Sequence, residues 1–555
     1  MSLILFILSF FIWYVIMFMK SESYLHILQL EGYNTNKLKK WMNQNKRKIY
    51  RKSDIYFSSI AIALIILYYI FYDIYIFKAI FYLSVILLMI IIGITFSNNK
   101  KTSKKPFIYT KRAKRLTSIT LGLILLDLLI VIILATIFAN KILILSETLD
   151  IIYPLCIGFM IISYLLCIYY VISGNFISVP LENRINRKFY NMAREKIKSM
   201  SGLKIIGITG SYGKTSTKFI SSSILSQKFM VMNTPESYNT PMGISKVINN
   251  DLTEDYEIFV AEMGATQKGD IEELAILAQP EIGVITSIGP CHLESFGSIN
   301  NIANCKYELI ENLSSEGIAI FNYDNPYVRA LADRTEKTKI LYAIENIDNA
   351  DIYAKDITVN ERGSSFTLCI KDKGSIDCET SLLGKHNILN ILAAVSIANV
   401  LGMNLEEISL GIKKILPVKH RLELIDPKNG IIVIDDAFNS NPDGAQAALE
   451  IINEFKGRRK IIVTPGMVEL GEIEKAENEK FGEKISKICD IVILVGKKRT
   501  QPIYDGLIRK GFDVNNIFIV NSTGDSTEIL KSISKQGDVV LYENDLPDTY
   551  DESVK

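Results

Sequence analysis

The segment Ile206-Gly-Ile-Thr-Gly-Ser-Tyr-Gly-Lys-Thr-Ser-Thr sets Gly207, Gly210 and Gly213 three residues apart and follows them with Lys214 and Thr215. An apolar, β-branched stretch precedes it and a helix-like one follows. In that setting the N–H groups of a tight turn and of a helix N-terminus point at phosphate oxygens. Lys214 then reaches the outer phosphates, and Thr215 offers its hydroxyl to Mg²⁺. Thr209, Gly210, Ser211, Gly213, Lys214, Thr215 and Ser216 are therefore the candidate contacts to ATP. The run departs from the general phosphate-loop pattern at Ile208, where a glycine belongs. A Gly-Lys-Thr triplet alone is also a bare helix start, and it is the strand-turn-helix context that favours nucleotide.

Other residues have suitable chemistry singly. Glu262 ends the apolar run Glu257-Ile-Phe-Val-Ala and is a hard oxygen ligand able to share Mg²⁺ with Thr215; the alternative is a strand-end carboxylate in a salt bridge. His292, one of four histidines, follows Ile288-Gly-Pro, and a single histidine is ordinarily structural. Lys306 reads by itself as a solvated helix lysine. Asn387 has the amide geometry to read an adenine edge, whereas Asn390 reads as a cap or packing residue and Lys385 and His386 as surface residues. Arg421 carries the planar donor fork that suits phosphate, or is a linker surface charge. Asn439 and Asn441 read as turn formers.

These residues need a scaffold that brings strand ends together. Short runs at Leu203-Lys-Ile-Ile-Gly-Ile-Thr, Glu257-Ile-Phe-Val-Ala, Ile282-Gly-Val-Ile-Thr and Ile318-Ala-Ile-Phe alternate with helical stretches. That pattern predicts a doubly wound α/β sheet over residues 201–417, with ligands at the carboxyl ends of its strands. A second unit, 418–555, repeats the pattern at 431–434, 460–464, 491–495, 516–520 and 539–542 and reads as Rossmann-like. Residues 383–401 read as one helix between the two. The expected fold is an N-terminal α-helical membrane region followed by α/β, with a P-loop central ATPase domain and a Rossmann-like C-terminal domain.

The membrane region is residues 1–178. Apolar residues are 48% of the chain, and five apolar runs are each about long enough to cross a hydrocarbon core of roughly 30 Å. They are approximately 3–19, 55–77, 79–96, 119–139 and 149–172. Lys and Arg concentrate at 37–52 and 100–115, so those segments face the cytoplasm, the N-terminus lies outside and everything after the fifth run is cytoplasmic. Residues 179–200 read as a charged connector. Asp127, in the middle of the fourth run, is either a substrate contact or a helix-packing hydrogen bond, the latter preferred. The 62 basic and 60 acidic residues balance and carry no nucleic-acid signature. The seven cysteines lack metal-site spacing and read as reduced thiols.

Taken in order, the motifs resemble those of the Mur ligases. Thr209-Gly-Ser-Tyr-Gly-Lys-Thr-Ser-Thr resembles their shortened phosphate loop, Glu262-Met-Gly-Ala their metal-binding glutamate segment, and His292-Leu-Glu-Ser-Phe-Gly with Lys306-Tyr-Glu-Leu their histidine and carbamylated-lysine segment. Gly384-Lys-His-Asn-Ile-Leu-Asn resembles the adenine motif. Asp435-Asp-Ala-Phe-Asn-Ser-Asn-Pro-Asp and Gly466-Met-Val-Glu-Leu-Gly resemble the subgroup that adds D-alanyl-D-alanine to UDP-N-acetylmuramoyl-tripeptide. The resemblance covers about residues 200–545. It implies an ATP-dependent ligase acting through an acyl phosphate, with two Mg²⁺ held by Thr215, Glu262, His292 and carbamylated Lys306. Lys214, Lys306 and His292 are its catalytic residues, Asp436 its ribose contact and Arg421 a phosphate contact. The implied partners are a UDP- or lipid-linked carboxylate from cell-wall precursor metabolism, an amino acid or dipeptide donor, and the lipid bilayer of a bacterial cell.

Two departures bear on the substrate. Membrane spans stand where that subgroup carries a soluble UDP-binding domain. Tyr542-Glu-Asn-Asp-Leu stands where its Lys-Gly-Ser-Arg-like ending is expected, which removes basic charge. A membrane ligase for another polymer, such as poly-γ-glutamate, and a nucleotide-switched membrane protein stay open as alternatives.

Overall fold

The computed structural model describes residues 2–71, 74–98, 106–142, 148–425, 430–438 and 440–546. They fall into two compact units, one up to Ile185 and the other from Asn186 to Leu546.

The first unit is helical throughout: α1 (Ser2–Leu30), α2 (Thr35–Gln44), α3 (Lys46–Ile49), α4 (Lys52–Ile70), α5 (Tyr75–Asn98), α6 (Lys111–Ile142), α7 (Thr148–Leu165) and α8 (Cys167–Ser199). Long helices form here because nearly every side chain is apolar, and one face of each finds a shared core of Trp13, Met17, Tyr68, Phe81, Ile124 and Ile157. The opposite faces leave Ile4, Phe11, Leu87 and Leu134 exposed, as lipid-facing helices do. By length and composition α1, α4, α5 and α6 can each cross a membrane. The fifth apolar run is divided at Leu166: α7 and α8 meet there at 72°, and neither Pro154 nor Pro180 lies at the bend. α8 then continues to Ser199, so the charged connector expected at 179–200 is the end of this helix and not a separate element.

Polar groups inside this unit are paired. Lys20 and Asp54, both buried, form an ion pair at 3.2 Å, and the Tyr164 hydroxyl donates to the other Asp54 oxygen at 3.1 Å. The Lys20 ammonium also lies 3.5 Å above the Tyr164 ring. Asp127 meets the Tyr170 hydroxyl, which is the helix-packing role. Of the two basic segments, the first forms α2 and α3, with Leu38 and Trp41 buried. In the second, Lys100, Lys101, Lys104 and Lys105 lie outside the described residues, and Arg115 makes a bidentate pair with Glu182 at 2.7 Å.

The second unit holds two sheets. The first has nine strands: β1 (Lys204–Thr209), β2 (Val231–Asn233), β3 (Ile258–Glu262), β4 (Ile282–Ile285), β5 (Ile318–Asn322), β6 (Lys339–Ala343), β7 (Ile352–Asn360), β8 (Gly363–Ile370) and β9 (Gly374–Thr380). Their order is β2-β3-β1-β4-β5-β6-β7-β8-β9. The strands from β2 through β7 pair in parallel, and β7, β8 and β9 form an antiparallel meander. Continuous burial of β1, β3 and β4 fits central parallel strands covered on both faces. Helix Lys385–Val400 is almost wholly buried and packs between the sheet and α9 (Lys214–Leu225).

The second sheet has β10 (Glu423–Ile425), β11 (Ile432–Asp436), β12 (Lys460–Thr464), β13 (Ile491–Val495), β14 (Ile517–Val520) and β15 (Val539–Glu543), in the order β10-β11-β15-β12-β13-β14. All but β10 run parallel. The last strand lies between the first two parallel ones, which is not the 3-2-1-4-5-6 order of a dinucleotide-binding Rossmann sheet. The expected Rossmann-like unit is therefore parallel α/β in class only.

Removing one member of the buried Lys20–Asp54 pair strands the other charge. Asp54→Ala is expected to destabilise the first unit by about 3–5 kcal/mol, and Lys20→Met/Asp54→Leu to recover most of it. Thermal unfolding of the detergent-solubilised chain checks this; equal losses in the single and double variants would refute the pairing argument.

Candidate active site

The carboxyl end of β1 leads straight into the glycine turn. At Gly210, φ is +152°, and a Cβ there would lie 2.1 Å from Thr286 Oγ1. Gly213, at φ +79°, is the N-cap of α9, and a Cβ there would meet Asn390 Oδ1 at 2.5 Å. Only glycine fits both the backbone and the space. Thr209 donates its hydroxyl to the Met263 carbonyl at 3.0 Å. Ser211 gives its N–H to the Ser287 carbonyl at 2.6 Å and its hydroxyl to the Gly289 carbonyl at 3.1 Å. Both are candidate ATP contacts by sequence; their side chains instead build the turn. Lys214 folds back over it, donating to the Gly210 and Ser211 carbonyls at 2.7 and 3.0 Å. Ser216 follows in the first turn of α9, half-buried.

Beside the turn stands Glu262, 1% exposed at the end of β3. Its Oε1 accepts from the Thr215 hydroxyl at 3.2 Å and from the Asn239 amide at 3.0 Å. Its Oε2 faces the ammonium of Lys218, which is wholly buried, at 3.1 Å. Both sequence alternatives for Glu262 are thus realised: it is salt-bridged, and it also lies against the Thr215 oxygen.

A cavity of about 220 Å³ opens next to these groups, lined among others by Lys214, Asn239, Cys291, His292 and Lys306. Lys306 is the clearest departure from the sequence reading. It is not a solvated helix lysine but 3% exposed, because helix Ile299–Glu311 turns that face toward the sheet. Burial and then the neighbouring Lys214 charge pull its ammonium down to about 8, and no ion pair to it is found among the described residues. Burial also lowers Lys214, with Cys291 and Glu262 opposing. His292 has a left-handed backbone, φ +53°, and its Nδ1 lies 2.7 Å from Glu469 Oε2 on the second sheet's side. Hydrogen bonds to Cys291 and Glu469 raise the imidazole to about 9.

The second sheet contributes Arg421 and Asp436. The Arg421 guanidinium stacks 4.3 Å from the Phe438 ring; burial lowers it, while Asp436 and Glu262 hold it up. Burial raises the Asp436 carboxyl to about 6, against the Arg421 charge. Asn387 donates to the Leu383 carbonyl at 2.9 Å within its own helix. Asn390, a cap or packing residue by sequence, accepts from the Thr217 hydroxyl at 3.2 Å and so braces the turn. His386 is pushed down to about 4 by burial and is half-buried, not a surface residue. Glu543, where basic charge was expected, is buried and accepts from Ser440 and from Thr464, the latter at 2.7 Å. It ties the ends of β12 and β15 to the loop after β11. Asn439 lies outside the described residues, and Asn441 caps a helix through the Gly444 N–H.

Lys218 and Asn239 do not stand out in the sequence reading. Lys218 has a usable signal, since it stands four residues after Lys214 on the same helix face; Asn239 has none. The depressed Lys306 ammonium has a thermodynamic consequence. Its folded value of about 8 lies below the ordinary 10.5, so between these values the unfolded chain holds a proton that the folded chain does not, and stability rises with pH. In buffer stripped of CO₂, Lys306→Met should therefore be more stable than the parent by up to roughly 3 kcal/mol at pH 7. The gap should close between pH 8 and 10.5. Thermal melting across that range checks it, and no gap at pH 7 would refute it.

This arrangement has counterparts in known proteins. The model of the Mur ligase middle domain matches residues 208–398, and that of the Mur ligase glutamate ligase domain matches 420–542. The UDP-N-acetylmuramoyl-tripeptide–D-alanyl-D-alanine ligase of Bacillus subtilis is 32% identical over 345 residues, 61% of this chain and 73% of that protein. The Escherichia coli ligase of the same name is 33% identical over 53% of this chain, which spans 65% of that protein's length. Among solved structures, MurF ligase from Thermotoga maritima in complex with ADP is 28% identical with a TM-score of 0.58, covering 65% of this chain and 80% of that one. MurF from Acinetobacter baumannii, 24% identical, shares the fold at a TM-score of 0.59 over 65% of this chain and 77% of its own. With both catalytic-domain models matched in order across the turn, the cavity and the second sheet, the chain belongs to the Mur ligase family and is an ATP-dependent carbon–nitrogen ligase.

Proposed function

We propose that this ligase joins D-alanyl-D-alanine, or an amine of that class, to the terminal carboxylate of a muramoyl-peptide precursor at the inner face of a bacterial membrane. One observation carries the proposal: a glycine turn with Lys214, the Thr215–Glu262 oxygen pair and the buried Lys306, which has no ion-paired acid among the described residues, gather at the carboxyl ends of β1, β3 and β4. The names of the Bacillus subtilis and Escherichia coli relatives supply the amine and acceptor class. The apolar helices of the first unit supply the location.

In the reaction a substrate carboxylate oxygen attacks the γ-phosphorus of ATP, giving an acyl phosphate and ADP. The amine then adds to the acyl carbon, loses a proton, and the phosphate leaves as the amide forms. Lys214 and Arg421 neutralise phosphate oxygens as charge moves onto them, and preorganised cations contribute most in a site where water is scarce. Gly210, Gly213, Thr215 and Ser216 present the turn and the α9 N-terminus to the phosphates, Asn387 faces the adenine, and Asp436 accepts from a ribose hydroxyl. Closure of the second sheet's domain over the cavity keeps water from the acyl phosphate.

The donor set suits two Mg²⁺ ions. Thr215 and Glu262 offer adjoining hard oxygens, and His292, oriented through Nδ1 by Glu469, keeps its other ring nitrogen as a ligand. Bound there, the ions would neutralise the phosphate oxygens and orient the γ-phosphate for attack. Lys306 completes the set as a carbamate: its neutral amine adds to CO₂ and loses a proton, turning a buried cation into an anion beside Lys214.

The detergent-purified chain is expected to form ADP, phosphate and a mass-confirmed amide only when a UDP- or lipid-linked muramoyl-tripeptide and D-alanyl-D-alanine are both present. Lys214→Ala should lower turnover by roughly 10²–10³-fold. An amide made only with glutamate or a polyglutamate acceptor would sink the cell-wall assignment and leave the ligase chemistry standing.

A further inference from the structure

A second lysine on α9 has no part in the scheme above. Lys218 is fully buried, one helical turn beyond Lys214 and outside the cavity lining. Its ammonium makes two polar contacts: Oε2 of Glu262 at 3.1 Å, and the carbonyl of Glu236. Glu236 is itself left-handed, φ +44°, in the loop that also delivers Asn239 to the other Glu262 oxygen.

A buried ammonium beside a phosphate site is costly unless it serves the carboxylate it faces. Here the two oxygens of Glu262 are divided. Oε2 is taken by Lys218 from one side, which leaves Oε1 turned toward Thr215, the direction from which a cation shared with Thr215 would come. The Glu236 carbonyl fixes the ammonium in turn, which holds the lysine away from the phosphates.

We infer that Lys218 is the positioning residue of the cation site: by holding Oε2 of Glu262 and the 234–239 loop together, it aims Oε1 at the ion that accompanies ATP. This rests on the proposed binding of Mg²⁺ by Thr215 and Glu262. Lys218 acts through that carboxylate and touches neither nucleotide nor ion. Its effect belongs on cation affinity, where loss of an outer partner typically costs 10–100-fold.

The test is calorimetric titration of ATP into the detergent-solubilised full chain at graded Mg²⁺. Lys218→Met should raise the Mg²⁺ concentration that gives half the metal-dependent gain in ATP affinity by about tenfold, while ATP binding in chelator stays as in the parent. Lys218→Gln, which keeps an N–H donor and so guards against misfolding, should give a smaller shift in the same direction. In a Glu262→Gln background, Lys218→Met should shift the midpoint no further. A midpoint unchanged in both single variants, with folding confirmed by melting, overturns the inference and leaves the cation site intact. No Mg²⁺ effect on ATP binding in the parent chain overturns the cation site itself, and the inference with it.

Discussion

Three cationic side chains, Lys214, Lys218 and Arg421, act on one fully buried carboxylate, Glu262, and a fourth, Lys306, is pressed against Lys214. So much positive charge at the ends of three parallel strands is tolerable only because phosphate completes it. Like charges in a low-dielectric pocket repel by several kcal/mol and lower one another's proton affinity. The fold accommodates the excess by anchoring each cation differently: Lys214 to turn carbonyls, Lys218 to the acid, Arg421 to an aromatic face and Asp436. Lys306 is held most weakly, with the Phe296 ring 5.9 Å away, and it is the group whose charge the proposed chemistry reverses.

The scaffold follows from this demand. The glycine turn must pass close to Thr286 and Asn390, which requires residues without Cβ at 210 and 213. The helix that brings Asn390 there is buried on almost every side, so its sequence is apolar all round. The buried parallel strands present their carboxyl ends together, which is where open α/β sheets hold ligands.

Much of this is legible in the order of the amino acids. Periodicity locates β1, β3, β4 and β5 and the parallel strands of the second sheet to within a residue or two, because buried parallel strands are unbroken apolar runs between turn residues. The ordered motifs locate Lys214, Thr215, Glu262, His292 and Arg421 near one cavity. Side-chain destinations are less legible. Thr209 and Ser211 read as ligand contacts because hydroxyls suit phosphate, but local carbonyls compete for the same donors. Lys306 reads as solvated because lysine usually is, and only packing reveals its burial. The β7–β9 meander alternates too weakly to stand out, and the bend at Leu166 has no proline or glycine to announce it.

The contact between His292 and Glu469 joins residues from the two sheets. The imidazole sits on one domain and the group that fixes its tautomer and ring angle sits on the other. The catalytic apparatus is thus divided between modules in the manner of a lock whose pin and barrel are cast separately. Neither module can drift or be exchanged in evolution without the other keeping pace at this pair. The position of the second domain is also a coordinate of the chemistry, since moving it changes which protons the first domain's histidine can offer.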